Sequence, residues 1–245
     1  MKRHEAVLTS PFVPSHASPR GSERCCGPIL TDTVEDYLKS IFALSSRNEP
    51  TATSALAEWL QVAPPTVSAM LKRLDAHGLI NRLEGHRVEL TAHGLRHALD
   101  VVRRHRLIEE FLVRVLQVPW DEVHAEAEAL EHAVSDRLTE RIDSYLGHPT
   151  HDPHGDPIPT GRGQHVERWA LPLAQARPGD RFRVARVSDR DSAALRYLGD
   201  LGIRPGVVLE VVEQVPFGGP LRIRVGDVQH GLGAPLTALV HGEVA

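Results

Sequence analysis

Residues 64–91 read PPTVSAMLKRLDAHGLINRLEGHRVELT and give the strongest indication of the fold in the first part of the chain. Pro64 suits the first turn of a helix, and Gly78 suits the position just after its last turn. Residues 79–90 surround a Gly85-His86 tip and predict a β-hairpin. The apolar residues that recur at helical spacing between Pro64 and Gly78, and so predict the buried face, are Val67, Met70, Leu71 and Leu74.

Two helical patterns precede this segment. The first begins near Thr33, with Asp32 or Thr33 as its N-cap, and the second spans about 53–60, with Thr53 as its cap. Helix, short helix, turn, helix and basic hairpin is the order of a winged helix-turn-helix, which places its third helix in the DNA major groove. A three-helix module that binds no nucleic acid is the alternative.

Charge is unevenly distributed along the 245 residues, whose net charge is −4. Lys and Arg exceed Asp and Glu by four in residues 62–106, whereas Asp and Glu exceed Lys and Arg by six in residues 121–143. A basic block followed by an acidic block favours two partners of opposite charge.

The basic block contains the predicted DNA contacts. The start of the third helix offers methyl, ring and hydroxyl groups to base edges, and these residues are Pro65, Thr66 and Ser68. Basic side chains on the third helix and the hairpin are predicted to meet phosphates, and they are Lys72, Arg73, Arg82, His86 and Arg87.

The acidic block follows a long helix that is predicted from its cap Thr91 to about Leu116. A further helix is predicted from about Asp121 to Leu146. Together they carry more apolar surface than one small domain needs, which predicts a homodimer. A two-fold dimer suits a palindromic operator in double-stranded DNA.

Histidines and carboxylates share one face of each of these helices. On the later helix the spacing is i, i+4, i+7 and i+8, for His124, Glu128, Glu131 and His132; on the earlier one His105 and Glu109 form an i, i+4 pair. Stacked carboxylates repel unless a cation lies between them, so we predict a metal site; a solvated acidic face is the alternative. Without Cys or Met the set favours Mn(II) or Fe(II) over softer ions.

The sequence carries no motif that indicates an enzyme, a membrane protein or a secreted protein. The chain lacks the His-Glu-x-x-His motif of zinc hydrolases and the Glu-x-x-His pairs of di-iron bundles, so we do not expect an enzyme. No apolar run spans a bilayer, no secretory signal is evident, and Cys25-Cys26 makes no disulfide framework. These features predict a cytoplasmic protein with no membrane partner.

Five motifs and a connector resemble the diphtheria-toxin-repressor family of metal-dependent transcriptional regulators. They are Thr33-Val-Glu-Asp-Tyr-Leu38, Pro64-Pro-Thr-Val-Ser68, Leu90-Thr-Ala-His-Gly94, Arg104-His-Arg-Leu-Ile-Glu109, residues 122–136 (EVHAEAEALEHAVSD) and the connector His154-Gly-Asp-Pro-Ile-Pro159.

The resemblance implies a mainly α fold with a small β domain. After a tail at 1–28, which composition predicts to be disordered, it implies a winged helix-turn-helix domain at 29–97 and a helical dimerisation and metal-binding domain at 98–148. A linker at 149–168 and a C-terminal SH3-like β-barrel of the FeoA type at 169–245 complete the chain.

The resemblance also implies two metal sites per chain. Asp36 and Glu128 stand where iron-type members carry Met and Cys, as in manganese-type regulators, so the primary site is Asp36, Glu128, Glu131 and His132. The second site is His105, Glu109 and His124, completed by Asp189 or Asp191. Lys39 stands where some two-domain manganese regulators carry Glu, which predicts separate mononuclear sites.

These features together predict a manganese-responsive, homodimeric DNA-binding regulator of genes for metal homeostasis and transport, with the divalent metal as co-repressor. An iron-responsive repressor of the same family is one alternative. A metal-buffering or interaction protein without specific DNA binding is the other.

Overall fold

The structure, a computed structural model, describes residues 30–161, 163 and 170–245. The predicted disordered tail at 1–28, with Cys25 and Cys26, lies outside the described residues, as does the end of the predicted linker. The helices of the N-terminal and middle parts are α1 (Asp32–Ser46), α2 (Thr53–Leu60), α3 (Pro64–Ala76), α4 (Ala92–Leu116), α5 (Val123–Leu130) and α6 (Asp136–Leu146).

The helix caps differ slightly from those predicted. The Thr31 hydroxyl accepts a hydrogen bond from the backbone N–H of Val34 and caps α1, so the predicted caps Asp32 and Thr33 are wrong. Thr53 already lies inside α2, whose cap position is held by Ala52. In both cases the helix begins at least one residue earlier than the apolar pattern indicates, because polar residues occupy its first turn.

The predicted hairpin pairs β1 (Ile80–Arg82) with β2 (Val88–Leu90) in antiparallel register. Thr91 caps α4 as predicted, because its hydroxyl accepts a hydrogen bond from the N–H of Gly94. A Cβ at Gly94 would lie 2.0 Å from the carbonyl oxygen of Leu79. The small residue therefore lets α4 pack directly against the winged helix-turn-helix, and apolar side chains of α1 to α4 form one continuous core.

The predicted single helix from Asp121 to Leu146 is wrong, because the structure has two. Helix α5 ends at Leu130, and Glu131 lies at its C-cap. The Ser135 side chain then caps α6 by accepting a hydrogen bond from Leu138 N–H. The local preference of serine for an N-cap overrides the continuous apolar pattern, so His132 lies in a turn between two helices.

The C-terminal part is one antiparallel sheet with two helices. Its strand order is β3-β8-β4-β5-β6-β7. The structure has a strand at 228–232 that the pattern missed, and it replaces the predicted strand at 236–240 by a short helix followed by a strand. The elements are β3 (Leu171–Pro172), β4 (Arg181–Val187), α7 (Ser192–Asp200), β5 (Val208–Gln214), β6 (Leu221–Val225), β7 (Val228–Leu232), α8 (Ala234–Thr237) and β8 (Val240–Val244).

The connector after α6 packs into the interior, although its composition predicts a linker. His154 is fully buried, and Asp152 and Asp156 are nearly so. Gly155 has a φ of +90°, and a Cβ there would lie 2.0 Å from the carbonyl oxygen of Ala185 on β4. Only glycine allows this approach, which brings the connector, the helical domain and the C-terminal sheet together.

Candidate metal centre

The candidate metal ligands come from four parts of the chain that lie close together. These parts are α1 of the DNA-binding domain, α4 and α5 of the helical domain, the buried connector, and the loop between β4 and α7. The predicted ligands form two groups, which we name the first cluster (Asp36, Glu128, Glu131, His132) and the second cluster (His105, Glu109, His124, Asp189).

The first cluster joins the DNA-binding domain to the helical domain. His132 Nε2 lies 2.8 Å from Asp36 Oδ1 on α1 and 3.4 Å from Glu131 Oε1. Its Nδ1 lies 2.8 Å from Glu35 Oε2. Asp36, Glu131 and His132 therefore offer ligand atoms within 4.8 Å of one another.

Glu128 is not part of that trio, but it offers a ligand atom within 4.8 Å of atoms of Glu131 and His105, and Lys39 contacts both carboxylates. Lys39 Nζ donates to Glu128 Oε1 at 2.5 Å and to both carboxylate oxygens of Glu131 at 2.8 Å. It also lies 3.4 Å from His105 Nδ1. An ammonium group thus occupies the space between the carboxylates that the resemblance assigns to one metal ion.

The second cluster joins the helical domain to the C-terminal domain. Glu109 Oε1 lies 3.0 Å from His105 Nε2 and 3.2 Å from His124 Nδ1. Asp189, in the loop after β4, approaches His124 Nδ1 to 3.1 Å. One ligand atom from each of the four residues falls within 4.8 Å of the others, which is compatible with a single cation.

Asp191, the other predicted carboxylate, does not reach this cluster. Its Oδ1 accepts hydrogen bonds of 3.0 Å from the N–H groups of Ala193 and Ala194. It is therefore the N-cap of α7, and Asp189 is the carboxylate that the C-terminal domain brings to the cluster.

Sequence reasoning missed two further residues, Asp152 and His154 of the connector. With Glu109 they offer a third set of ligand atoms within 4.8 Å, and all three residues are buried. His154 Nε2 lies 2.7 Å from the carbonyl oxygen of Trp120. That contact places a proton on Nε2, and Nδ1 is the ring nitrogen that faces Glu109, 3.9 Å from its Oε1. The connector histidines 148, 151 and 154 are the signal in the sequence, but the Pro-rich composition around them favours a linker over a metal site.

Three atoms of this third set show that it fits a cation. Glu109 Oε2, Asp152 Oδ2 and His154 Nδ1 are buried, and among the described residues none of these atoms has a hydrogen-bond partner. Buried polar atoms are normally satisfied. A divalent ion held by oxygen and imidazole ligands satisfies such atoms and balances the carboxylate charge.

The electrostatics of the centre show how its carboxylates are balanced by protons and by Lys39. Burial opposes charging of His124 and His154, but neighbouring carboxylates outweigh burial and raise the pKa of each to about 10. Burial likewise opposes charging of Glu131, but His105 and Lys39 lower its pKa to about 2. Burial and the charge of Glu109 raise the pKa of Asp152 to about 7.

Lys39 keeps its charge in this environment. Burial alone would lower its pKa, but the carboxylates of Glu131 and Glu128 outweigh burial and raise the pKa above the ordinary value. The first cluster therefore has a permanent cation, whereas the second cluster depends on protonated histidine.

The predicted DNA contacts on α3 and the hairpin are exposed. The outer face of α3 is exposed while Val67, Leu71 and Leu74 are buried beneath it. Arg82 Nε lies 2.9 Å from Asp75 Oδ2. The exposed predicted contacts are Pro65, Thr66, Ser68, Lys72, Arg73, Arg82, His86 and Arg87.

Fold and site together define a class: a winged-helix DNA-binding protein whose first helix shares a ligand cluster with a helical metal-binding domain. Family models support it across the chain. "Iron dependent repressor, N-terminal DNA binding domain" matches residues 29–83. "Iron dependent repressor, metal binding and dimerisation domain" matches 91–160, and "FeoA domain" matches 171–243.

Individual proteins that are similar to this chain support the same class. The iron-dependent repressor IdeR of Mycobacterium leprae is 40% identical over 130 residues, which cover 53% of this chain and 56% of that protein. A structure of a manganese-dependent transcriptional repressor in complex with manganese is 41% identical, with a TM-score of 0.80 over 86% of this chain and 100% of that one. The manganese regulator SloR is 34% identical, with a TM-score of 0.74 over 88% and 100%.

The chain therefore belongs to the diphtheria toxin repressor family of metal-dependent transcriptional regulators. This is a family of repressors and not of enzymes. The alignment of this chain with the curated IdeR relatives spans a little over half of their length.

Proposed function

We propose that this protein is a homodimeric, manganese-responsive transcriptional repressor of metal homeostasis and transport genes, acting on cytoplasmic DNA. The observation that carries the proposal is the contact of His132 with Asp36 at 2.8 Å. It places a ligand of the DNA-binding domain against ligands of the helical domain. A metal ion bound there ties the two domains together.

The ligand chemistry supports Mn(II) over Fe(II). The first cluster supplies three carboxylates and one imidazole, and the second supplies two carboxylates and two imidazoles. Hard oxygen ligands suit Mn(II), whereas thiolate and thioether ligands suit softer ions. The relatives include both iron-dependent and manganese-dependent repressors, so the assignment rests on the ligands of this chain.

Exposed apolar side chains support the homodimer. Large apolar groups of the helical domain remain in solvent beside two small apolar clusters of that domain. An isologous interface would bury these side chains and would relate the two recognition helices by a two-fold axis. The exposed side chains are Leu116, Leu130, Leu138 and Tyr145.

Metal binding and DNA binding are coupled through α1 in this proposal. Metal bound by Asp36 and the helical domain fixes the tilt of α1, and α1 packs with α2 and α3 in one core. Metal therefore favours the arrangement of the two α3 helices that DNA also favours. Coupling of this kind is reciprocal.

DNA binding measured by fluorescence anisotropy tests the proposal, with DNA from upstream of the protein's own gene and anaerobic titration by Mn(II) or Fe(II). We expect tight binding that requires Mn(II) and is lost in Glu128→Ala. Glu126→Ala is the matched control, because it removes an exposed carboxylate from the same helix. An equal or better response to Fe(II) would assign iron as the co-repressor.

The second candidate function is metal buffering without specific DNA binding, which the additional buried ligands Asp152 and His154 favour. In that case the protein binds Mn(II) but shows no preference for the upstream DNA over unrelated DNA at saturating metal.

A further inference from the structure

Lys39 is the lysine that fills the centre of the first cluster. Its Nζ contacts Glu128 at 2.5 Å and Glu131 at 2.8 Å, and Glu131 is fully buried. The ammonium group therefore donates hydrogen bonds to oxygen atoms of two carboxylates that the proposed function assigns to the metal.

A metal ion and this ammonium group compete for the same oxygen atoms. Coordination by Glu128 and Glu131 requires these oxygens to point at the ion, and both carboxylates now accept hydrogen bonds from Lys39. A cation beside them also repels the incoming ion. Metal binding at the first cluster therefore has to break short, charge-assisted contacts that stabilise the metal-free form.

The second cluster lacks this feature at its centre. Its short contacts join histidine nitrogen to carboxylate oxygen, with Glu109 Oε1 3.0 Å from His105 Nε2 and Asp189 Oδ2 3.1 Å from His124 Nδ1. Imidazole nitrogen and carboxylate oxygen are both metal-ligand types. The groups that contact one another in this cluster are therefore all potential ligands, whereas the ammonium group of Lys39 is not.

The structure gives Lys39 a place to move. A cavity of about 400 Å³ lies beside the cluster, between the three domains, and Lys39 is among its lining residues together with Asp36, Glu128 and Asp189. The lysine side chain is a flexible four-carbon stem, so rotation about its side-chain bonds would move the ammonium group into this space, whose lining also includes Arg106 and Arg186.

We propose that Lys39 is a built-in competitor for metal at the first cluster, and that it makes this cluster the weaker site. The second cluster then fills first, and displacement of Lys39 at the first cluster sets the metal concentration at which the repressor engages DNA. This inference rests on the proposed function for its link to DNA, but the order of filling is a property of the protein alone.

Titration with Mn(II), with free ion measured by electron paramagnetic resonance, tests the order of filling in the full-length protein. The wild-type protein is expected to show a tight and a weak class of sites. Lys39→Gln should strengthen the weak class about tenfold or more and change the tight class much less, because Lys39 contacts two carboxylates of the first cluster and only His105 of the second, at 3.4 Å. Lys39→Arg keeps a cation there and should retain the weak class. Binding classes in Lys39→Gln identical to those of the wild-type protein would overturn the inference.

Two further measurements distinguish failure of this inference from a folding defect of the variant and from failure of the proposed function. The metal-free Lys39→Gln protein should have a lower Tm than the wild type, because Glu128 and Glu131 lose their counter-ion, and Mn(II) should remove the difference. An unchanged metal-free Tm contradicts the role of Lys39 as counter-ion. If the wild-type protein fills two classes of site but Mn(II) does not affect DNA binding, the proposed function fails while the order of filling stands.

Discussion

The two clusters use the same ligand types but balance their charge differently. In the first, Lys39 holds Glu128 and Glu131 together. In the second, His124 lies between Glu109 and Asp189, and buried atoms of Glu109 and the adjoining connector have no hydrogen-bond partner in the described part of the chain. The carboxylates of the first cluster are balanced by a lysine ammonium group, whereas those of the second are balanced by histidine. Clusters with the same ligand types therefore differ in the group that a metal ion has to displace.

The clusters also connect different domains. The first links the helical domain to α1 through Asp36, and the second links it to the C-terminal domain through Asp189. Filling of the second cluster should therefore fix the C-terminal domain, and filling of the first should fix the DNA-binding domain.

The largest effect is expected for Glu131→Ala. Glu131 contacts Lys39, His105 and His132 and is fully buried. Its loss removes one of the two carboxylates that contact each of Lys39 and His105, and the buried charge-assisted hydrogen bonds that are lost contribute roughly 1.5–3 kcal/mol of folding free energy. Urea unfolding of the metal-free protein should show this loss, and anisotropy should show no Mn(II)-dependent DNA binding. Stability within 1 kcal/mol of the wild type would contradict the central position of Glu131.

A smaller effect, confined to the second cluster, is expected for Asp189→Asn. Removal of this carboxylate should weaken the tight class of Mn(II) sites roughly 10- to 100-fold, the range found for disturbed metal sites. Asp191→Asn is the matched control, because Asp191 caps α7 and an asparagine caps equally well. Calorimetric titration distinguishes the two; equal losses in both variants would remove Asp189 from the cluster.

A still smaller effect should follow from Arg190→Gln, which tests how the second cluster reaches the DNA-binding domain. Arg190 follows Asp189, and its guanidinium lies 3.7 Å from the ring centroid of Trp59 on α2. Loss of this cation–π contact removes about 1 kcal/mol, so Mn(II)-dependent DNA affinity should fall about fivefold. Arg222→Gln, which breaks an exposed ion pair of the same domain, should leave it unchanged. The same loss in both variants would mean that no link passes through Trp59.

The smallest effect lies outside both clusters, at Asp143. Contacts with His148 and Arg103 lower the pKa of Asp143 despite its burial. A carboxyl with a lowered folded-state pKa stabilises the fold above its unfolded pKa, and that stabilisation disappears as the pH falls through the folded value. Thermal unfolding from pH 6 down to pH 3 should therefore bring the Tm of the wild type towards that of Asp143→Asn. A constant gap would contradict this.

The sequence predicted local structure well where signals were short and strong. Proline at the start and glycine after the end fixed α3, and Thr91 fixed the start of α4. The sequence failed at the break between α5 and α6, because the apolar period continues through Ser135 and hides its capping role. It also failed at β7, whose Val228–Leu232 segment has little apolar alternation.

The grouping of the candidate ligands on the helices was predictable because i, i+4 spacing places side chains on one face. The role of Asp189 over Asp191 was not, because only the tertiary fold shows which carboxylate caps α7. The positions of Asp152 and His154 also depend on packing, since Gly155 brings the connector against β4. The contact of Lys39 with Glu128 and Glu131 joins residues about 90 positions apart, and no local pattern reveals it.

The most direct test of the account is the Mn(II) affinity of the protein measured with and without its upstream DNA. If metal at the first cluster ties α1 to the helical domain, DNA must strengthen Mn(II) binding by the same factor by which Mn(II) strengthens DNA binding. We predict that the two affinities increase by equal factors in the wild-type protein and that neither affinity changes in Asp36→Ala. A Mn(II) affinity that is the same with and without DNA would contradict the coupling.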